Sequence, residues 1–235
     1  RSFLSIWKKG GEVEKLRSGM IHEQITKLRR FQEMVLEKNK VMNLTALTSE
    51  KQFYHKHFED SLKLLDYRQL QGKILDLGTG AGFPGIPLAI LCPEVEFLLL
   101  DSLQKRINFL HEVVEELALP NVTLLHARAE DAARTELRGS FDAVVTRALA
   151  ALPVLLEITI PFLKKGGSLY AYKGEKVQEE LDQSTKALRA LGAEVEELHS
   201  YSIMGDAHCI LEVKKAHNTA PSYPRKPHQI AKKPL

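Results

Sequence analysis

The spacing of apolar positions changes character along this chain. Ile21, Ile25, Leu28, Phe31 and Val35 recur at helical intervals with polar residues between them, which predicts an amphipathic helix over about 21–38. A second helical stretch, about 49–66, carries Phe53, Phe58, Leu62 and Leu65. Then short apolar runs of strand length take over: 73–77, 95–100, 122–125, 141–145 and 168–172. Helical runs separate them at about 85–92, 103–118, 150–162 and 175–191. Strands alternating with helices predict a mainly parallel sheet covered on both faces. The runs 194–201 and 207–214 have no helix between them and predict an antiparallel pair at one edge. After Lys215, four prolines sit among four cations, and an extended tail is expected.

A parallel sheet ending in an antiparallel hairpin is the arrangement of class I S-adenosylmethionine-dependent methyltransferases, an α/β, Rossmann-like fold, here with an N-terminal helical extension. The expected division is 1–66 for the extension, 67–215 for the methyltransferase domain and 216–235 for the tail.

Charge adds a second pattern. Residues 1–30 hold eight Lys/Arg against three Asp/Glu, residues 31–213 hold 19 against 27, and residues 214–235 hold six against none. An acidic body between basic ends argues against a uniformly cationic coat protein and fits a folded body that meets a polyanion with its ends. With 44% hydrophobic residues, a substantial core is expected. No membrane span or signal peptide is read, and Cys92 and Cys209 fit a reduced compartment, so a cytoplasmic protein is expected. Asn43 begins a glycosylation sequon that carries no weight without secretion.

The segment from Ile74 to Gly85 runs from a strand into a glycine turn and on to Pro84 at a helix start. Two frames fit it. Gly80, Gly82 and Gly85 spell the dinucleotide fingerprint. Asp76, Gly78, Gly80 and Gly82 spell the S-adenosylmethionine loop, in which an early carboxylate suits a cationic ligand better than a pyrophosphate. Asp101, at the end of the second strand run, is the acid expected to accept ribose hydroxyls in either frame, or to cap the helix from Leu103. Ala129 and Glu130 lie where an adenine edge would be read. The histidines lack zinc spacing and no metal is expected. No Pro-Pro box and no activated cysteine is present, which disfavours amino-group and carbon-5 methylation. Guanine N7, which exposes a lone pair, needs only positioning. An NAD-dependent oxidoreductase and a non-catalytic RNA-binding module stay open at this level.

The run from Leu75 to Leu88, the blocks 43–45, 57–62 and 100–110, Thr146-Arg-Ala148, Tyr172-Lys-Gly174 and Tyr223-Pro-Arg-Lys-Pro227 together resemble the RsmG family, also called glucose-inhibited division protein B, over about residues 21–235. The resemblance implies methyl transfer from S-adenosylmethionine to N7 of a guanine in the 530 loop of 16S ribosomal RNA, within the small ribosomal subunit. It implies cofactor contacts at Gly78, Phe83, Ala129, Glu130 and Arg147, a ribose acid at Asp101, and RNA-facing cations at Arg128 and Lys173. Arg225 and Lys226 in the tail are further candidates for RNA phosphate. The chain departs from the family at His228-Gln229-Ile230, where Gly-Thr-Pro is usual.

Overall fold

A computed structural model describes residues 22–42, 44–45 and 50–235. The sequon asparagine and the basic stretch before residue 22 lie outside them. Helix α1 (His22–Met42) buries Leu28, Phe31 and Val35, one stripe of the predicted pattern. Its polar side reaches the helix α3 (Gln104–Glu116) through Arg30–Glu116 at 2.7 Å and Lys38–Glu112 at 2.8 Å. The second helical stretch is interrupted: Glu50–Phe53, a π-helical segment Tyr54–Glu59, then Asp60–Leu62 and Leu64–Tyr67. In the wider π turn the Asp60 amide donates back to the His55 carbonyl.

The strands form one sheet of seven in the order β3-β2-β1-β4-β5-β7-β6. These are β1 (Lys73–Leu77), β2 (Glu96–Asp101), β3 (Val122–His126), β4 (Phe141–Arg147), β5 (Leu163–Gly174), β6 (Ala193–Ile203) and β7 (Asp206–Lys215). The first five pair in parallel, and β7 pairs antiparallel with both β5 and β6. The expected fold class is therefore present, with its antiparallel edge. The crossovers are α2 (Gly85–Leu91), α3, a short α4 (Ala129–Ala132) and α5 (Leu152–Thr159). The single predicted helix 175–191 is two, α6 (Val177–Asp182) and α7 (Thr185–Leu191), broken where the Ser184 hydroxyl bonds the Glu180 carbonyl.

Period-2 alternation divides the core. Ile74, Phe97 and Leu99 face α1, the interrupted helix, α2 and α3. Leu75, Leu77, Leu98 and Leu100 face α5, α7 and the tail. Strands buried on both faces read as continuous apolar runs, which is why they stood out in the sequence.

The tail is not extended. It packs across the α5 side and ends in α8 (Pro227–Lys232), with Ile230 buried. Proline at the first helical position lacks only an N–H that would have no partner there, so proline density did not forbid a helix. Arg138 donates to the carbonyls of Thr219, Ala220 and Tyr223, Arg134 donates to that of Pro224, and Arg225 meets the fully buried Glu157 carboxylate at 2.6–2.8 Å.

Candidate active site

Strand order reverses direction between β1 and β4, and in open α/β sheets the crevice at the carboxyl ends of such a pair is where ligands bind. Two clefts open there. The first, about 330 Å³, is lined by Gly78, Asp101, Arg106, Ala129, Glu130 and Leu149, among others. The second, about 740 Å³, is lined by His57, Asp60, Arg147, Tyr172, Lys173 and Glu180, among others. They share Ala148 and Leu149, on the loop leaving β4. Ala148 holds φ at +52°, a left-handed conformation unfavourable for a residue with a Cβ and typical of functional loops.

The glycine turn is tied down from both sides. Gly78 and Thr79 donate their amides to the Leu100 carbonyl at 2.8 and 3.1 Å, and the Gly80 amide donates to Asp101 at 2.9 Å. Gly78 has φ +71°, and a Cβ there would stand 2.5 Å from the Leu149 side chain. Gly80 differs: a Cβ would meet nothing nearer than the Gly78 carbonyl at 4.0 Å, although φ is +61°. Asp101 accepts from the Leu103 amide on one oxygen and from Gly80 and Arg106 on the other. It therefore anchors the start of α3 and also lines the first cleft, with one of its about four lone-pair sites left to accept a ribose hydroxyl.

Asp76 lies elsewhere. It is fully buried beneath the turn and accepts from the Thr79 hydroxyl at 2.6 Å and the Gly85 amide at 2.8 Å. It does not line either cleft, which corrects its reading as a contact for a cationic ligand. Burial raises its pKa to about 7, with the Thr79 and Gly85 bonds and Arg147 pulling the other way. The same contact disposes of the dinucleotide frame. The amide at the start of α2 is already taken by an internal carboxylate, where a pyrophosphate would have to sit.

Gly82 and Phe83 also lie behind the cleft wall. Phe83 is buried against Phe31, Phe53 and Phe58, so it supports the site from beneath. His57 stacks on it at 4.4 Å and Arg147 lies over its ring at 5.1 Å. Arg147 lines the second cleft, not the first. Its guanidinium donates to Asp60 at 3.0 Å, to the Lys56 carbonyl at 3.1 Å and to His57 Nδ1 at 2.9 Å. Since arginine only donates, Nδ1 must accept, and His57 Nε2 carries the proton toward Thr45 Oγ1 at 2.8 Å. Burial first, and Arg147 second, push the His57 pKa down to about 3, so the ring is neutral.

Among the expected RNA-facing cations, Arg128 is exposed at the rim of the first cleft and Lys226 is exposed on the tail. Lys173 is nearly buried and bonds Glu180 at 2.7 Å and the Ala150 carbonyl at 2.8 Å. Arg225 is spent on Glu157, which corrects its reading as a phosphate grip. Asp60, Arg106, Leu149 and Glu180 were not singled out from sequence. Neither acid carried a local signal: Asp60 has Lys56, His57 and Lys63 as helical neighbours, and Glu180 sits in a charged run that resembles any solvated surface.

The residues of the first cleft fit a nucleoside-bearing cofactor: a carboxylate at its rim, a close backbone approach at Gly78, and a second acid at Glu130. Fold and site together define a class I S-adenosylmethionine-dependent methyltransferase. Solved structures share the fold: M. jannaschii TYW2 in complex with AdoMet (TM-score 0.55, 20% identity, 66% of this chain and 74% of that one) and a SAM dependent methyltransferase from Aquifex aeolicus (0.54, 19%, 70% and 94%). Residues 24–209 match the family model GidB, rRNA small subunit methyltransferase G. The chain is 49% identical over 217 residues to Ribosomal RNA small subunit methyltransferase G of Desulfitobacterium hafniense, covering 91% of this chain and 90% of that protein. It is 44% identical over 211 residues to the protein of that name from Clostridium tetani, covering 88% of each. The chain belongs to the rRNA small subunit methyltransferase G family.

Proposed function

We propose that the protein methylates N7 of a guanine in the 530 loop of 16S ribosomal RNA, in the cytoplasm, on the RNA of the small subunit. The observation that carries this is the pair of clefts joined at Ala148 and Leu149, one suited to a nucleoside cofactor and one lined by held cations. S-adenosylmethionine, when bound, supplies the electrophilic methyl group. Asp101 and Glu130 would hold its nucleoside, and Gly78 lets it approach the backbone. The second cleft orients the acceptor. Its Asp60 and Glu180 carboxylates are both ion-paired, and both nitrogens of its His57 are engaged. None of these three is a free base, which fits attack by a lone pair that needs no prior deprotonation. Arg147 and Lys173 provide fixed positive charge beside an anionic substrate.

Labelled methyl transfer to small subunits and to naked 16S RNA, followed by chemical cleavage at 7-methylguanosine, tests the reading. One modified guanine in the 530 loop is expected. Methyl transfer at another position or another atom would overturn it.

A further inference from the structure

The second cleft needs an element that recognises guanine, and the Lys173–Glu180 ion pair beside the 150–152 loop has the chemistry for it. Resting on the guanine reading above, we infer that Glu180 is the specificity residue that reads the Watson–Crick edge of the target guanine, with Lys173 beside it on O6.

The placement comes from the sheet. The first cleft is walled by residues that follow β1, β2 and β3, together with the β4 loop. Lys173 is the last residue but one of β5 and Glu180 belongs to α6, one strand further along the order β1-β4-β5. A guanine entering the second cleft with N7 toward the shared wall at Ala148 and Leu149 keeps O6 on that same edge, next to Ala150 where Lys173 is bonded, and turns N1–H and the N2 amino group along the adjoining edge toward Glu180.

The bonding at the pair leaves capacity of the right kind. Lys173 Nζ has three donors and spends two, on the Ala150 carbonyl and on Glu180 Oε2. The third suits O6, an acceptor. On Glu180, the bonds from Lys173 and from the Leu152 amide at 2.6 Å both fall on Oε2. Among the described residues Oε1 takes none, and it suits the N1–H and N2–H donors. Adenine presents the opposite set, an amino group where O6 stands and a bare N1, so it would face donor against donor and acceptor against acceptor. Lys173 has a side chain only 10% exposed, which suits base contact better than contact with a backbone phosphate.

Glu180→Gln gives a directional test. Lys173 and the Leu152 amide still require an acceptor, so the amide oxygen keeps the Oε2 position and the NH2 group takes the Oε1 position. A donor then faces guanine N1–H and matches adenine N1. Transfer is measured on 16S RNA ligated to carry guanosine or adenosine at the target, for wild type and E180Q. The expected result is a fall in kcat/KM for guanosine of about tenfold or more, as for a buried donor left unpaired, and a drop in the guanosine-to-adenosine ratio at least as large. S-adenosylhomocysteine affinity, a property of the first cleft, is expected to stay unchanged. An equal loss on both bases would overturn the inference and leave Glu180 as a staple of the 150–152 loop. Should E180Q not fold, wild type on RNA carrying 2-aminopurine at the target serves instead. That base keeps N7 but lacks O6 and N1–H, so a tenfold loss is expected and undiminished transfer overturns the inference. Absence of transfer to guanosine by the wild type would sink the guanine reading itself, a different outcome from either.

Discussion

Asp76 shows how a motif residue is redirected by depth. Its carboxyl is held under the glycine turn with one oxygen, Oδ1, unpartnered and with its pKa raised to about 7. A carboxyl raised above its ordinary value of about 3.9 binds its proton more tightly in the folded state. Its stabilising contribution is therefore full below about pH 4 and is lost as pH rises toward 7. Asp76→Asn keeps an acceptor for Thr79 and Gly85 and removes the ionisation. Urea unfolding should show the variant gaining on wild type from pH 4 to pH 7 and holding a constant difference above that. A difference independent of pH would mean that Asp76 is ionised throughout. His57 runs the other way: its lowered pKa makes its contribution full above about 6.5 and progressively lost toward pH 3. Reading the difference between variant and wild type isolates Asp76 from it.

At the scale of elements, the β1–α2 turn and the tail make separate demands. Gly78→Ala asks a left-handed backbone to carry a Cβ, at about 1–2 kcal/mol, and sets that Cβ against Leu149 on the loop shared by both clefts. Calorimetry with S-adenosylhomocysteine should show weaker binding by tenfold or more, while Gly80→Ala, whose Cβ meets open space, should lose less. The tail behaves as a clamp. Arg225→Ala leaves the fully buried Glu157 without its ion partner, and a loss of about 3–5 kcal/mol is expected in denaturant unfolding. Lys226, Lys232 and Lys233 are exposed, and their joint replacement by alanine should leave stability unchanged. If all three touch phosphates, the log K versus log salt slope for RNA flattens by about 2–3, at 0.7–0.9 per contact. An unchanged slope would remove the tail from the RNA interface.

Across the whole molecule, Asp60 ties the N-terminal helices, the sheet and the antiparallel edge together. It accepts Arg147 from β4 and the Tyr201 hydroxyl from β6 at 2.8 Å, and it lies 3.4 Å from His208 of β7. Tyr172 of β5 donates to the neighbouring Ser61 carbonyl. This junction fixes Arg147 in the second cleft. Asp60→Asn should therefore lower kcat/KM for RNA while sparing S-adenosylhomocysteine affinity, and it should lower the thermal midpoint. Equal weakening of both ligands would place Asp60 in general stability alone. The charge split changes meaning at this scale too. Lys215 is buried against the Leu163 carbonyl with its pKa lowered to about 8, and Arg225 is paired internally, so part of the basic C-terminal stretch serves the fold.

What the sequence determined by itself were the properties carried by neighbours along the chain. The strands, the glycine turn after β1 and Asp101 at the end of β2 depend on residues a few positions apart and are found where the local pattern placed them, whereas the helical stretches 49–66 and 175–191 are found broken into shorter pieces. Tertiary structure alone decided which polar residues face a cleft. Asp76 stands in the glycine-loop motif and Glu180 in an ordinary charged run, yet the first is sealed beneath the turn and the second lines the second cleft. Arg225 and Lys226 are adjacent, yet one meets a buried carboxylate 68 positions away and the other meets solvent. Burial and pairing of charges depend on contacts between distant segments, and no local pattern encodes them.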